Sequence, residues 1–143
     1  MSRKFCGLAV VVVFVVMMNV LTVPAWAHHS FAAEYDVDKP AKLQGTVKKI
    51  EWINPHSWIT IDVKASDGTL QTWEIEAGAP NAMFRRGFNK DSLALGTEII
   101  VTGYLAKNGL RRLNGRDLTF TDGRKLFMPT SNPFEPDADK KGK

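Results

Sequence analysis

The chain has 143 residues, 19 Lys and Arg against 15 Asp and Glu, and a single cysteine, Cys6. One cysteine at the extreme N-terminus excludes a disulfide framework, a thiolate metal site and a cysteine nucleophile in the body of the chain. A net charge of +4 is too small and too dispersed for the electrostatic footprint of a nucleic-acid binder.

The chain opens with a basic Ser2-Arg3-Lys4, runs apolar from Phe5 to Met18, and reaches Pro24 and Ala25-Trp26-Ala27. Charged start, apolar middle and small-residue cleavage site are the parts of a secretory signal peptide, so residues 1–27 are predicted to be removed after Ala27. A cut after Ala25 satisfies the same rule. An uncleaved anchor is the competing reading, but the apolar run of 14 residues falls short of the roughly 20 that span a bilayer. Cleavage after Ala27 leaves 116 residues, with 17 basic and 15 acidic side chains, enough for one domain and no membrane span. The domain is expected to work in the periplasm, where nucleic acid is an awkward partner.

Residues 28–40 read as a polar lead-in closed by Pro40. From Leu43 the period becomes two: Leu43, Gly45 and Val47 share a face, then the phase slips and Ile50 and Trp52 carry it, the mark of a β-bulge. Asn54-Pro55 makes a turn, and Ile59, Ile61 and Val63 alternate with Thr60 and Asp62 in a second strand. Ser66-Asp67-Gly68-Thr69 predicts a hairpin into Leu70–Glu76. Pro80 opens a short helix with Met83 and Phe84 buried and Gly87 at its end. Glu98–Leu105 is partly apolar on both faces, as a central or barrel strand would be, Asn108-Gly109 turns the chain, residues 110–121 form a last long strand, and Asp122-Gly123 turns into a short segment, 124–127. Five main strands, a bulged first strand and a helix between the third and fourth predict a mostly β fold: a small OB-like barrel over 41–128. An open sheet or sandwich is the alternative. Residues 129–143 read as a disordered tail.

Three groups of residues could carry function. Cleavage after Ala27 would leave His28 N-terminal, so that its α-amine and imidazole could chelate one metal ion, copper above all, with His29 or His56 adding a nitrogen. The alternative is that His28 and His29 are tolerated polar residues at a frayed end. Trp52-Ile53-Asn54-Pro55-His56-Ser57-Trp58 is the second group. Trp52 and Trp58 could form an aromatic platform with Asn54 and His56 as polar contacts, or they plug the end of the barrel while His56 bonds to backbone. The third is basic: Arg85 and Arg86 beside the helix, Arg111, Arg112 and Arg116 on the last long strand, and Arg124-Lys125 beyond it. It could hold an anionic small molecule, a lipid headgroup or a protein partner, or be a solvated face paired with Glu74, Glu76 and Asp117. Glu74 and Glu76, two apart on one strand, could form an acid–base pair, but no nucleophile elbow, phosphate loop or zinc-protease motif accompanies them, so a non-catalytic binding module is expected rather than an enzyme.

An ordered series of boxes runs through residues 27–127. Ala27-His28-His29-Ser30-Phe31 is followed by Glu51-Trp52-Ile53-Asn54-Pro55-His56-Ser57-Trp58-Ile59. Pro80-Asn81-Ala82-Met83-Phe84-Arg85-Arg86-Gly87-Phe88, Gly103-Tyr104-Leu105 and Asp122-Gly123-Arg124-Lys125-Leu126-Phe127 complete it. The series resembles the domain-of-unknown-function 6152 family, small exported bacterial proteins without an assigned function. The resemblance implies a periplasmic home and one small β domain, and it implies no reaction and no ligand.

Overall fold

The computed structural model describes residues 31–129 and Asn132. The proposed signal peptide, His28, His29 and all of the predicted tail except Pro129 and Asn132 lie outside the described residues. The fold is mostly β. A four-residue helix α1 (Phe31–Glu34) leads into β1 (Tyr35–Glu51), followed by β2 (Trp58–Lys64), β3 (Leu70–Glu76), helix α2 (Pro80–Arg85), β4 (Glu98–Ala106), β5 (Arg112–Phe120) and β6 (Lys125–Phe127). Among the described residues no helix is long and apolar enough to cross a membrane.

The strands lie in the order β3-β2-β1-β4-β5-β6, and β3 also pairs with β5. That last pairing is parallel, Glu74 to Arg112, Ile75 to Leu113 and Glu76 to Asn114, and it joins β3, at one end of an otherwise antiparallel series, to β5, next to the other end. The pairings of β1 to β5 therefore close into a ring. β4 is central as its two apolar faces require, with β1 on one side and β5 on the other.

Alternation along each strand turns every second side chain inward. Ile59 and Ile61 from β2, Ile75 from β3, Ile99 and Val101 from β4, and Leu113 and Leu118 from β5 are all inaccessible to solvent. Val47 joins them from β1, and Met83 from α2 covers one side of the cluster. In β1 the phase slip is a bulge: Val47 faces Ile61 but Lys49 faces Thr60, leaving Lys48 as the extra residue. Gly68, Gly109 and Gly123 adopt positive φ in the three predicted turns.

Two expectations are corrected. The lead-in is not merely a polar arm, because β1 begins at Tyr35 and the buried rings of Phe31 and Tyr35 stack at 5.6 Å. Phe84 is not buried: α2 has a single inward stripe, Met83 takes it, and Phe84 is 39% exposed.

Candidate functional site

Glu76 ends β3, where the strand meets Trp58 of β2 on one side and Asn114 of β5 on the other. Among the described residues it is the one buried side chain that can carry a charge at neutral pH, and the residue is 4% exposed. A carboxylate there needs donors, because burial without hydrogen bonds costs several kcal/mol, about 5 or more for an ion. Two donors meet it. The Tyr35 hydroxyl donates to Oε2, and the His56 ring places Nδ1 2.7 Å from Oε1.

Both donors come from segments that the fold holds firmly. Tyr35 sits at the start of β1, stacked on Phe31, whose edge meets Tyr104 of β4 at 5.6 Å and 84°. Burial raises the Tyr35 phenol well above its usual pKa, and the bond to Glu76 raises it further, so the hydroxyl keeps its proton and donates. His56 lies in the turn between β1 and β2, after a cis Asn54–Pro55 bond. The Ser57 N–H donates to the Gly78 carbonyl and the Ala77 N–H to that of Ser57, which ties the turn to the segment just past Glu76.

An ionised carboxylate only accepts, so the His56 nitrogen facing it carries the proton. In the neutral imidazole the lone pair is then on Nε2. The His56 side chain is 36% exposed, and among the described residues Nε2 has no partner. The arrangement is an imidazole oriented by a buried carboxylate with its second nitrogen available, which can ligate a metal or take up a proton.

Trp58 lies two residues further, under Arg112. The guanidinium carbon is 4.7 Å from the ring centroid, and Nε and Nη2 donate to Glu74 Oε2 at 3.2 and 2.7 Å. The hydrogen bond to Glu74 raises the Arg112 pKa further, so this cation is permanent. Arg112 occupies one face of Trp58 and denies that face to a ligand. Trp52 has a different partner: its ring meets Phe84 of α2 at 5.1 Å. The predicted aromatic pair is thus divided, Trp58 standing with Arg112, and Trp52 with the helix that carries Arg85 and Arg86. Arg85 is exposed and Arg86 half-buried, and Asn54 is exposed in the turn. Glu74 and Glu76 are no acid–base pair, since one binds Arg112 at the surface and the other is buried with Tyr35 and His56.

Among the described residues no three metal-binding side chains converge. Of the predicted ligands, His56 is in place and His28 and His29 lie outside the described residues. Sequence reasoning gave Tyr35 no site role. The available signal was a pair of aromatics four apart, Phe31 and Tyr35, in a segment otherwise polar.

A family model matches residues 16–114, more than half of the chain, and its description is a family of unknown function (DUF6152). No curated protein matches the chain.

Proposed function

Since the chain belongs to the family of unknown function DUF6152, which lends it no activity, we propose from its own geometry that it is an exported, non-catalytic periplasmic module that binds copper at His56. The fold we assign is an OB-like five-stranded barrel behind a cleaved signal peptide. The ring order β1-β2-β3-β5-β4, with α2 between β3 and β4, supports that assignment.

One observation carries the copper reading: His56 Nδ1 stands 2.7 Å from a buried carboxylate. Metal-bound histidines almost always donate their other nitrogen in this way, which fixes the ring and raises its basicity. The remaining nitrogens would come from His28 and His29. His28 is three residues before Phe31, a chain reach of at most about 11 Å. Phe31 packs on Tyr35, and Tyr35 binds the same Glu76 that orients His56. An α-amine and three imidazoles make a nitrogen set suited to copper.

The test is a copper(II) titration of protein whose first residue is shown by mass spectrometry to be His28. Saturable one-to-one binding is expected. His56→Ala and His28→Ala should each weaken it, and Glu76→Gln should cost about 10- to 100-fold. Absent binding, or binding untouched by His56→Ala, overturns the reading.

A second reading has its own support. The 5.1 Å contact of Trp52 with Phe84 sets an aromatic surface beside Arg85 and Arg86. This surface suits an anionic small molecule, a lipid headgroup or a protein partner better than the Trp58 face does. Vesicle binding that requires acidic lipid and is lost on Arg85→Ala with Arg86→Ala would favour it.

A further inference from the structure

The chain has two Asn-Gly pairs, Asn108-Gly109 and Asn114-Gly115. Asparagine before glycine readily loses its side-chain amide, because no side chain on the glycine shields the main-chain nitrogen that attacks the Asn Cγ. The sequence makes the two pairs near equivalents, since 108–111 and 113–116 contain the same four residue types. The fold separates them. Asn114 and Gly115 lie inside β5, and Asn114 is 2% exposed, opposite Glu76 of β3 on one side and Tyr104 of β4 on the other. A Cβ on Gly115 would stand 2.5 Å from Met128 Cε and 2.8 Å from Ile75 Cγ2, so this stretch is packed as well as paired. Closing a five-membered ring through Asn114 Cγ and the Gly115 nitrogen requires the main chain at Asn114 to leave its extended conformation. That rotation breaks the ladders to β3 and β4 together.

Asn108 and Gly109 stand in the turn between β4 and β5, and both are exposed. Gly109 has φ +78°, and a Cβ built on it would meet nothing within 4 Å, so no neighbour resists a rotation there. The Leu110 N–H donates to Asn108 Oδ1 at 3.1 Å. An Oδ1 bonded to the second amide ahead folds the carboxamide over the peptide between, whose nitrogen is that of Gly109. The same bond draws electron density from Cγ and makes it a better electrophile.

We propose that Asn108 is a site of spontaneous deamidation in the folded protein and that Asn114 is not. The Gly109 nitrogen gives its proton to hydroxide and attacks Asn108 Cγ. The new N–Cγ bond closes a five-membered imide, the Cγ–Nδ2 bond breaks, and Nδ2 leaves as ammonia with a proton taken from water. A second water opens the imide at either carbonyl. Opening at the main-chain carbonyl gives isoaspartate, with one more carbon in the chain, and opening at Cγ gives aspartate. Either product sets a carboxylate between Lys107 and Arg111, on a turn whose only charges are cations.

Protein expressed from the full sequence can be held at mildly alkaline pH, sampled over days and mapped by peptide mass spectrometry. Fragmentation is needed, because the tryptic peptides 108–111 and 113–116 have the same composition and so the same mass. Asn108 is expected to convert to a mixture of isoaspartate and aspartate at about tenfold or more the rate of Asn114, which reacts only from opened molecules. In urea the two rates should converge, since the protection of Asn114 belongs to the fold. Asn108→Gln alters an exposed side chain and should remove the early product, because a glutamine must close a larger ring. Equal rates at the two sites in folded protein, or an Asn108 that reacts only in urea, would overturn the proposal.

Discussion

Gly103 of β4 lies so close to Asn114 of β5 that a Cβ on Gly103 would stand 2.0 Å from the Asn114 carbonyl oxygen. The atoms in the way are backbone, held by the β4–β5 ladder and by the β3–β5 pairing at Asn114. They cannot rotate aside as a side chain can. Gly103→Ala is therefore expected to destabilise the fold by roughly 3 kcal/mol or more, at the upper end of overpacking costs. Urea unfolding with an unchanged m-value would measure it. A loss under 1 kcal/mol would mean that the two strands are not this close.

Closure of the ring has an equally local reporter. The Glu74 N–H donates to the Arg111 carbonyl at 3.0 Å, across the parallel β3–β5 contact and away from β2. If β3 and β5 pair in solution, the Glu74 amide should exchange with solvent about as slowly as amides inside the β1–β4 ladder. Exchange at the rate of a free edge would show an open sheet. The ring's interior link, Ile75 opposite Leu113, gives a second measure, since both side chains are fully buried. Ile75→Ala is expected to cost about 2–5 kcal/mol.

Much of this ring is legible in the residues themselves. The phase slip after Val47 locates a bulge because side-chain direction alternates strictly along a strand, so one extra residue must shift every apolar position after it. Gly68, Gly109 and Gly123 mark turns because only glycine adopts their positive φ without strain. Glu76 is different. By alternation it belongs with Glu74, and nothing local separates a solvated glutamate from one that closes against a tyrosine 41 residues upstream. Its burial follows from the parallel pairing of β3 with β5, a contact across an intervening helix and strand that no short-range pattern encodes. The same is true of Trp58, whose stack with Arg112 depends on that pairing. Phe84 was misplaced because a six-residue helix has room for one inward stripe, and the pattern does not say whether Met83 or Phe84 takes it.

The Tyr35 hydroxyl makes stability fall at alkaline pH. Its pKa is raised in the folded state, by burial first and by Glu76 second. Below about pH 10 the phenol is protonated folded and unfolded, and its contribution is complete. Above that, the unfolded chain ionises while the folded chain does not, so stability declines with rising pH by up to about 1.4 kcal/mol per unit from this group. Tyr35→Phe should remove that increment of slope. At neutral pH the same variant is expected to lose about 1–3 kcal/mol, because Glu76 then lacks one of its two donors. Chemical unfolding of both proteins from pH 7 to 11 checks the two effects together. Parallel curves would show that the phenol is not held by Glu76.

Glu76→Gln keeps the shape of the side chain and changes what it can accept. The carboxylate offers an oxygen to each of Tyr35 and His56, whereas an amide offers one oxygen and one NH2 group. If the amide oxygen turned to His56, the buried Tyr35 proton would lose its acceptor, at a cost of about 1–3 kcal/mol. If the oxygen stays with Tyr35, the NH2 group faces His56 Nδ1, which can accept once the ring adopts its other tautomer. The second arrangement keeps an acceptor for the buried Tyr35 hydroxyl and a partner for His56, so it should prevail. The proton then moves to Nε2, and the lone pair faces inward. Nitrogen-15 NMR of the imidazole should show His56 protonated at Nδ1 in the parent and at Nε2 in Glu76→Gln, with the fold retained. Copper affinity should fall with the switch, since the outward nitrogen no longer has a free lone pair. An unchanged tautomer with unchanged copper affinity would mean that Glu76 orients nothing.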